Sequence, residues 1–126
     1  FFFPSFNIGF QAHVSTLPSS FHINFLEMLA VCSAVHAAAK FSTIPKCLAV
    51  FTNSTFMVTV FSSLSTCAPY NQILISTVDI LIACSIDLHV VHVPGALNCV
   101  ADAISQFDNC AASLFMPSIS ILPFSP

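Results

Sequence analysis

Asp79 interrupts the most apolar stretch of this chain. Residues 73–86 read ILISTVDILIACSI, and Asp87 follows directly. A helix that spans a bilayer needs about 20 mostly apolar residues. The longest internal stretch without a charge, residues 47–78, has the length, but Thr, Ser, Asn and Gln punctuate it and Pro69 breaks it. The apolar residues are therefore expected inside a folded domain, with no membrane as partner and an intracellular location. A small membrane protein stands as the alternative from another class.

Composition sharpens that choice. Apolar residues make up 56% of the 126 and charged residues 6%, against roughly 25% charged in an average globular chain. Lys40 and Lys46 are the only fixed cations, and the formal net charge is −3. No basic footprint for nucleic acid exists, and so few charges predict poor solubility. The opening FFFPSF lacks the basic region and small-residue cleavage site of a signal peptide. The chain does not begin with Met and reads as an N-terminally truncated piece.

Six cysteines, at 32, 47, 67, 84, 99 and 110, fall at wide spacings with no CxxC pair. They read as reduced thiols acting as small hydrophobes. A zinc site would call for two close ligand pairs. His89 and His92, three apart on a strand, point to opposite faces and so do not share one metal. His13, His22 and His36 carry no partner pattern.

Elements follow from periodicity and punctuation. FNIGFQAHVS reads as a strand, and the Phe-rich start as core strand, not a base-stacking platform. FHINFLEMLAVCSAVHAAAKF is a helix with Asn24 as N-cap, Glu27 as its capping-box partner, and Leu26, Leu29, Ala30 and Ser33 along one stripe. KCLAVFT is a buried strand. STFMVTVFSSLS fits helix or strand; a crossover helix suits the order better, because parallel neighbours need one. YNQILISTVDILIACSI is a helix carrying Ile73, Leu74, Val78, Leu81 and Ile82, with Asp79 as a surface charge and Asp87 at its end. DLHVVHV is a strand and NCVADAISQF a short helix, with Asn98 as a turn or cap residue. The segment from Asp108, rich in Ser and Pro, reads as irregular. The class is α/β, a mixed central sheet flanked by helices.

Three phrases carry the functional signal: INFLEMLAV at 23–31, LAVFTNST at 48–55 and HVVHVPGALNCVADAISQF at 89–107. Together they resemble the RNase H-like domain of retroelement reverse transcriptase polyproteins of the gypsy or DIRS-like kind. In that family a helix reads like IN-x-LELLAV, a strand ends in TDN or TDS, and a last segment reads H-x-PG-x-x-N-x-x-AD-x-LSR. His92, Pro94, Gly95, Asn98, Ala101 and Asp102 fall in register with the last, which is the most specific. The resemblance implies an RNase H-like domain over 1–107, followed by an irregular Ser/Pro-containing tail over 108–126. It implies hydrolysis of RNA in an RNA–DNA hybrid, with a reverse transcriptase domain in the same polyprotein as partner. Two Mg²⁺ ions about 4 Å apart would activate the water and stabilise the leaving oxygen. Glu27 and Asp102 would be metal-binding carboxylates and His92 the histidine that assists proton transfer or product release.

The chain departs from that pattern at two places. Asn53 stands where the second phrase has its Asp, and Pro4 where the first-strand phrase, laid over PSFNIG, has its own. Asn53 offers a neutral oxygen and Pro4 none, so Mg²⁺, which needs charge to stay bound, is expected to bind weakly or not at all. Asp to Asn at 53 and Arg to Gln at 106 are each single G-to-A changes. The absence of arginine fits the same bias, and the chain reads as a decayed, inactive copy. A non-catalytic connection-type domain of the same fold is the alternative.

Overall fold

The computed structural model describes residues 1–14 and 23–125. The chain is mixed α/β, with its strands divided between two small sheets. Among the described residues the strands do not join into the single central sheet expected from the sequence. The first sheet holds β1 (Phe2–Phe3), β2 (Ile8–Gln11) and β5 (Ser120–Pro123) in the order β1-β2-β5, the first pair antiparallel and the second parallel. The second pairs β3 (Cys47–Thr52) with β4 (Asp87–His92) in parallel, from Cys47 opposite Asp87 to Thr52 opposite His92.

Parallel neighbours require a crossover, and α2 (Thr55–Ser63) and α3 (Asn71–Cys84) supply it. STFMVTVFSSLS is thus helical despite its β-branched residues. Ser54 caps α2 by accepting from the Met57 N–H at 3.5 Å. Exposed and half-buried residues alternate along β3 and along β4 as far as Val91. KCLAVFT is therefore covered on one face only, not buried. Val50, Leu88 and Val90 pack inward on a core of Met28, Val31, Cys32, Met57, Val60, Phe61, Tyr70, Ile73 and Leu74.

The long helix α1 spans Ile23–Ala38. Its expected first residues, Phe21 and His22, lie outside the described residues, as does Ser15 at the expected end of the first strand. Asn24 lies inside the helix and is not its cap. The buried stripe runs through Met28, Val31, Cys32, Val35 and Ala38, whereas Leu26, Leu29, Ala30 and Ser33 are half-buried. A helix apolar nearly all round has no preferred face until its neighbours choose one. On α3, Asp79 is exposed as expected, but Ile82 is 73% exposed and Thr77 takes a buried place. The Thr77 hydroxyl donates to the Ile73 carbonyl at 2.8 Å, which satisfies it within its own helix.

The segment from Asp108 is not irregular. Asp108 caps α5 (Asn109–Phe115) by accepting from the Ala111 N–H at 2.9 Å, and β5 follows. Ala112, Met116, Ile119 and Ile121 join Phe2 and the α4 (Cys99–Ser105) residues Val100, Ala103 and Ile104 in a second core. Gln11 ties the layers together, its Nε2 donating to the Ile104 carbonyl and to Asn109 Oδ1, both at 2.7 Å. The Phe-rich start does form a strand. Phe3 and Phe6 meet Phe41 beyond α1, with ring centroids 5.0 and 4.7 Å apart.

Gly9 lies where α4 crosses β2. A Cβ there would come within 2.8 Å of Ile104 Cδ1 and 3.4 Å of Ile119 and Ile121 side-chain atoms. Gly9→Val is expected to lower stability by about 1–3 kcal/mol through overpacking, read from the urea midpoint. An unchanged midpoint would mean that α4 does not sit this close to the strand.

Candidate functional site

Two of the three family-like phrases meet at the C-terminal ends of β3 and β4. Thr52 and His92 are register partners, and the Val93 N–H continues the ladder to the Thr52 carbonyl at 2.8 Å. Asn53 leaves β3 at this point with its side chain exposed. The chain after β4 turns through Pro94 into a single 3-10 turn, Gly95–Leu97. The Asn53 amide nitrogen lies 3.7 Å from where a Cβ on Gly95 would be. The Asn53 position and the Pro-Gly turn thus form one corner, although 42 residues separate Asn53 from Gly95.

Asp102 stands in the first turn of α4 and is half-buried. Its N–H donates to the Asn98 carbonyl at 3.0 Å, so Asn98 occupies the cap position through its backbone, without a side-chain cap bond. A carboxylate so near a helix N-terminus also complements the helix dipole. His92 ends β4 and is exposed. Glu27 lies in the first half of α1, and its Oε2 is shielded from solvent without a hydrogen-bond partner. Such an atom carries the desolvation cost of an unpaired acceptor.

Pro4 is not a strand residue. It opens a 3-10 turn, Pro4–Phe6, between β1 and β2, and is exposed. Proline suits that first position because its ring presets φ and its missing N–H has no partner to lose. The PSFNIG phrase is mostly a turn, completed by Asn7 at φ 55°, a left-handed conformation that Asn tolerates.

Among the described residues, Glu27, Asp102 and His92 are not a group whose ligand atoms all lie within 4.8 Å of one another. With two carboxylates, a neutral Asn53 and a turn proline, the residues present do not fit a pair of Mg²⁺ ions, which demand several hard, charged oxygens.

A different group does come together. Cys47, Asp87 and His89 place Sγ, a carboxylate oxygen and an imidazole nitrogen within 4.8 Å of one another, all exposed. Asp87 Oδ2 and His89 Nε2 are 2.9 Å apart. Sequence reasoning missed this trio because Cys47 and Asp87 lie 40 positions apart, and only the in-register parallel ladder sets them side by side. The i, i+2 spacing of Asp87 and His89 on one strand was the available signal, since such residues share a face. His89 and His92 are both exposed on β4, at positions three apart.

The remaining cysteines show no disulfide among the described residues. Cys32 is buried, but Cys67 and Cys110 are as exposed as Cys47, unlike small core hydrophobes. His36 Nε2 lies 3.2 Å from Ser76 Oγ, and His13 stacks on Phe107 with centroids 3.9 Å apart. Among the described residues no helix is long and apolar enough to cross a membrane.

Compared with known proteins, the chain matches no family model, no curated protein and no solved structure.

Proposed function

We propose that this chain is an RNase H-like domain of a retroelement reverse transcriptase polyprotein, descended from a hybrid-cleaving nuclease and itself without cleavage activity. The observation that carries the reading is the corner between Asn53 and Gly95. The second and third phrases come from distant parts of the chain, and a shared ancestral site requires that they meet. The order of helix, strand, two crossover helices, strand and helix over residues 23–105 supports it further. Asp102 lies on the helix that follows the Pro-Gly turn, where the family-like phrase has its carboxylate. The two-sheet arrangement departs from the single mixed sheet that the family implies.

The inactivity rests on charge. In-line displacement at phosphorus depends on ions that neutralise the developing negative charge. The corner offers one amide where a carboxylate would serve, and only two fixed cations exist in the chain to grip a hybrid. Purified protein with Mg²⁺ is expected to leave an RNA–DNA hybrid uncut. Asn53→Asp adds a charge to the corner and is expected to raise Mg²⁺ affinity several-fold by calorimetry without restoring cleavage. Cleavage by the unaltered chain that Asp102→Asn abolishes would overturn the inactivity and uphold the site.

A non-catalytic connection-type domain of the same fold is the second reading, supported by the neutral Asn53 at the position where the family-like phrase has its Asp. Sister copies separate the two. Decay leaves relatives with Asp at position 53 that differ mainly by C-to-T and G-to-A changes. A connection domain keeps a non-acidic residue there throughout. Coding sequence upstream with a polymerase YxDD-type motif is the expected context for both, and its absence from every copy would remove the family reading.

A further inference from the structure

We infer that the outer face of the β3–β4 pair is a zinc-binding site formed by Cys47, Asp87 and His89. It is independent of the RNase H-like reading, since none of the three belongs to the Asn53 corner. Cys47 opens β3, Asp87 opens β4, and the two are register partners. His89 lies two residues along β4 on the same face. The backbone beneath is held by the ladder, including the Asp87 N–H to the Lys46 carbonyl at 2.8 Å. The opposite faces of both strands pack on the core through Val50, Leu88 and Val90, so the three ligands project from a supported surface.

The donor set selects the ion. Mg²⁺ and Ca²⁺ take oxygen ligands, and a thiolate with an imidazole disfavours both. One sulfur, one nitrogen and one oxygen suit Zn²⁺, which binds them at about 2.0–2.3 Å in tetrahedral geometry. Such bonds put ligand atoms about 3.3–3.8 Å apart. The observed separations, all within 4.8 Å, close to that range by small rotations of exposed side chains. On binding, the Cys47 thiol loses its proton to solvent and its sulfur lone pair forms the Zn–S bond. The Asp87–His89 contact of 2.9 Å gives way to one metal bond from each partner. Water fills the fourth position, because the trio supplies three ligands.

The test titrates the reduced, metal-free chain with Zn²⁺ by calorimetry and with Co²⁺ by absorption. The expected result is one equivalent bound, with the thiolate-to-cobalt charge-transfer band and the visible bands of tetrahedral Co²⁺. Cys47→Ser should abolish the charge-transfer band and weaken Zn²⁺ binding at least tenfold. Asp87→Asn and His89→Gln should each weaken it at least tenfold. Cys67→Ser and Cys110→Ser, at the other exposed thiols, should leave affinity and band unchanged. All three ligand positions are exposed, so the variants should keep the far-ultraviolet circular dichroism of the parent, and each is read separately. The inference is overturned if the parent chain binds no Zn²⁺ at micromolar concentration. It is equally overturned if the Cys47→Ser protein keeps the charge-transfer band, or if Cys67→Ser or Cys110→Ser loses as much affinity as Cys47→Ser.

Discussion

A chain ending at Phe107 is expected to lose the β1-β2-β5 sheet and with it the cooperative unfolding of the whole. Ending there keeps every residue of the three family-like phrases, yet it removes α5 and β5. The lone β1–β2 hairpin that remains is short, and an isolated two-stranded hairpin is marginal in water. The second core would lose Ala111, Ala112, Met116, Ile119 and Ile121. Met116, Ile119 and Ile121 are half-buried, so each gives up only part of the about 1.5–3 kcal/mol that full burial of a large apolar side chain is worth, about 2–4 kcal/mol together. Whole-domain stability is only about 5–15 kcal/mol. The Gln11 bond to Asn109 and the Asn7 bond to the Pro117 carbonyl would go as well. Urea titration followed by circular dichroism reads the result. A truncated chain with the midpoint and slope of the full one would show that residues 108–125 are an appendage.

Met57→Ala should be the most damaging single substitution of those considered. Met57 is fully buried in the core that α1, α2 and α3 build against the second sheet. Deleting its side chain removes apolar burial and leaves a cavity that neighbours fill only in part, a cost of about 2–5 kcal/mol. The midpoint should fall while the urea slope stays the same. Leu114→Ala is the control: Leu114 is 81% exposed, and its change should stay within about 0.5 kcal/mol. Equal effects at the two positions would contradict the packing described.

Much of the middle of the chain was legible because local signals and tertiary structure agree there. The β3, α3, β4 and α4 segments have apolar periodicity bounded by Pro, Gly, Asn and Ser, and each forms near its expected bounds. Reading α2 as helical needed a topological premise, the crossover between parallel strands, because its own residues favour a strand. The C-terminal segment differs from its expected irregular form for the opposite reason. Its Ser and Pro residues looked like loop, while the cap at Asp108 and the alternation through Ile119 and Ile121 were weak signals in a chain with apolar residues almost everywhere. The structure brings Asn53 to Gly95, a meeting that no local pattern in the sequence announces. It does not bring Glu27, Asp102 and His92 into one ligand cluster among the described residues.

By itself the sequence determined that this chain folds by burying apolar faces in an α/β arrangement, because no apolar run is both long and free of polar interruption. It also determined that Asn53 brings no carboxylate to its place in the family-like pattern, because that is a matter of residue identity. Only the tertiary structure decided which face of α1 is buried, since a helix apolar nearly all round has no preferred face before it packs. Only the tertiary structure divided the strands into two sheets, since β2 finds its parallel partner more than 100 residues away, a distance at which no local pattern speaks. The same holds for Cys47 beside Asp87: strand register is a long-range choice made by the core beneath, and it alone turns two unrelated residues into neighbours.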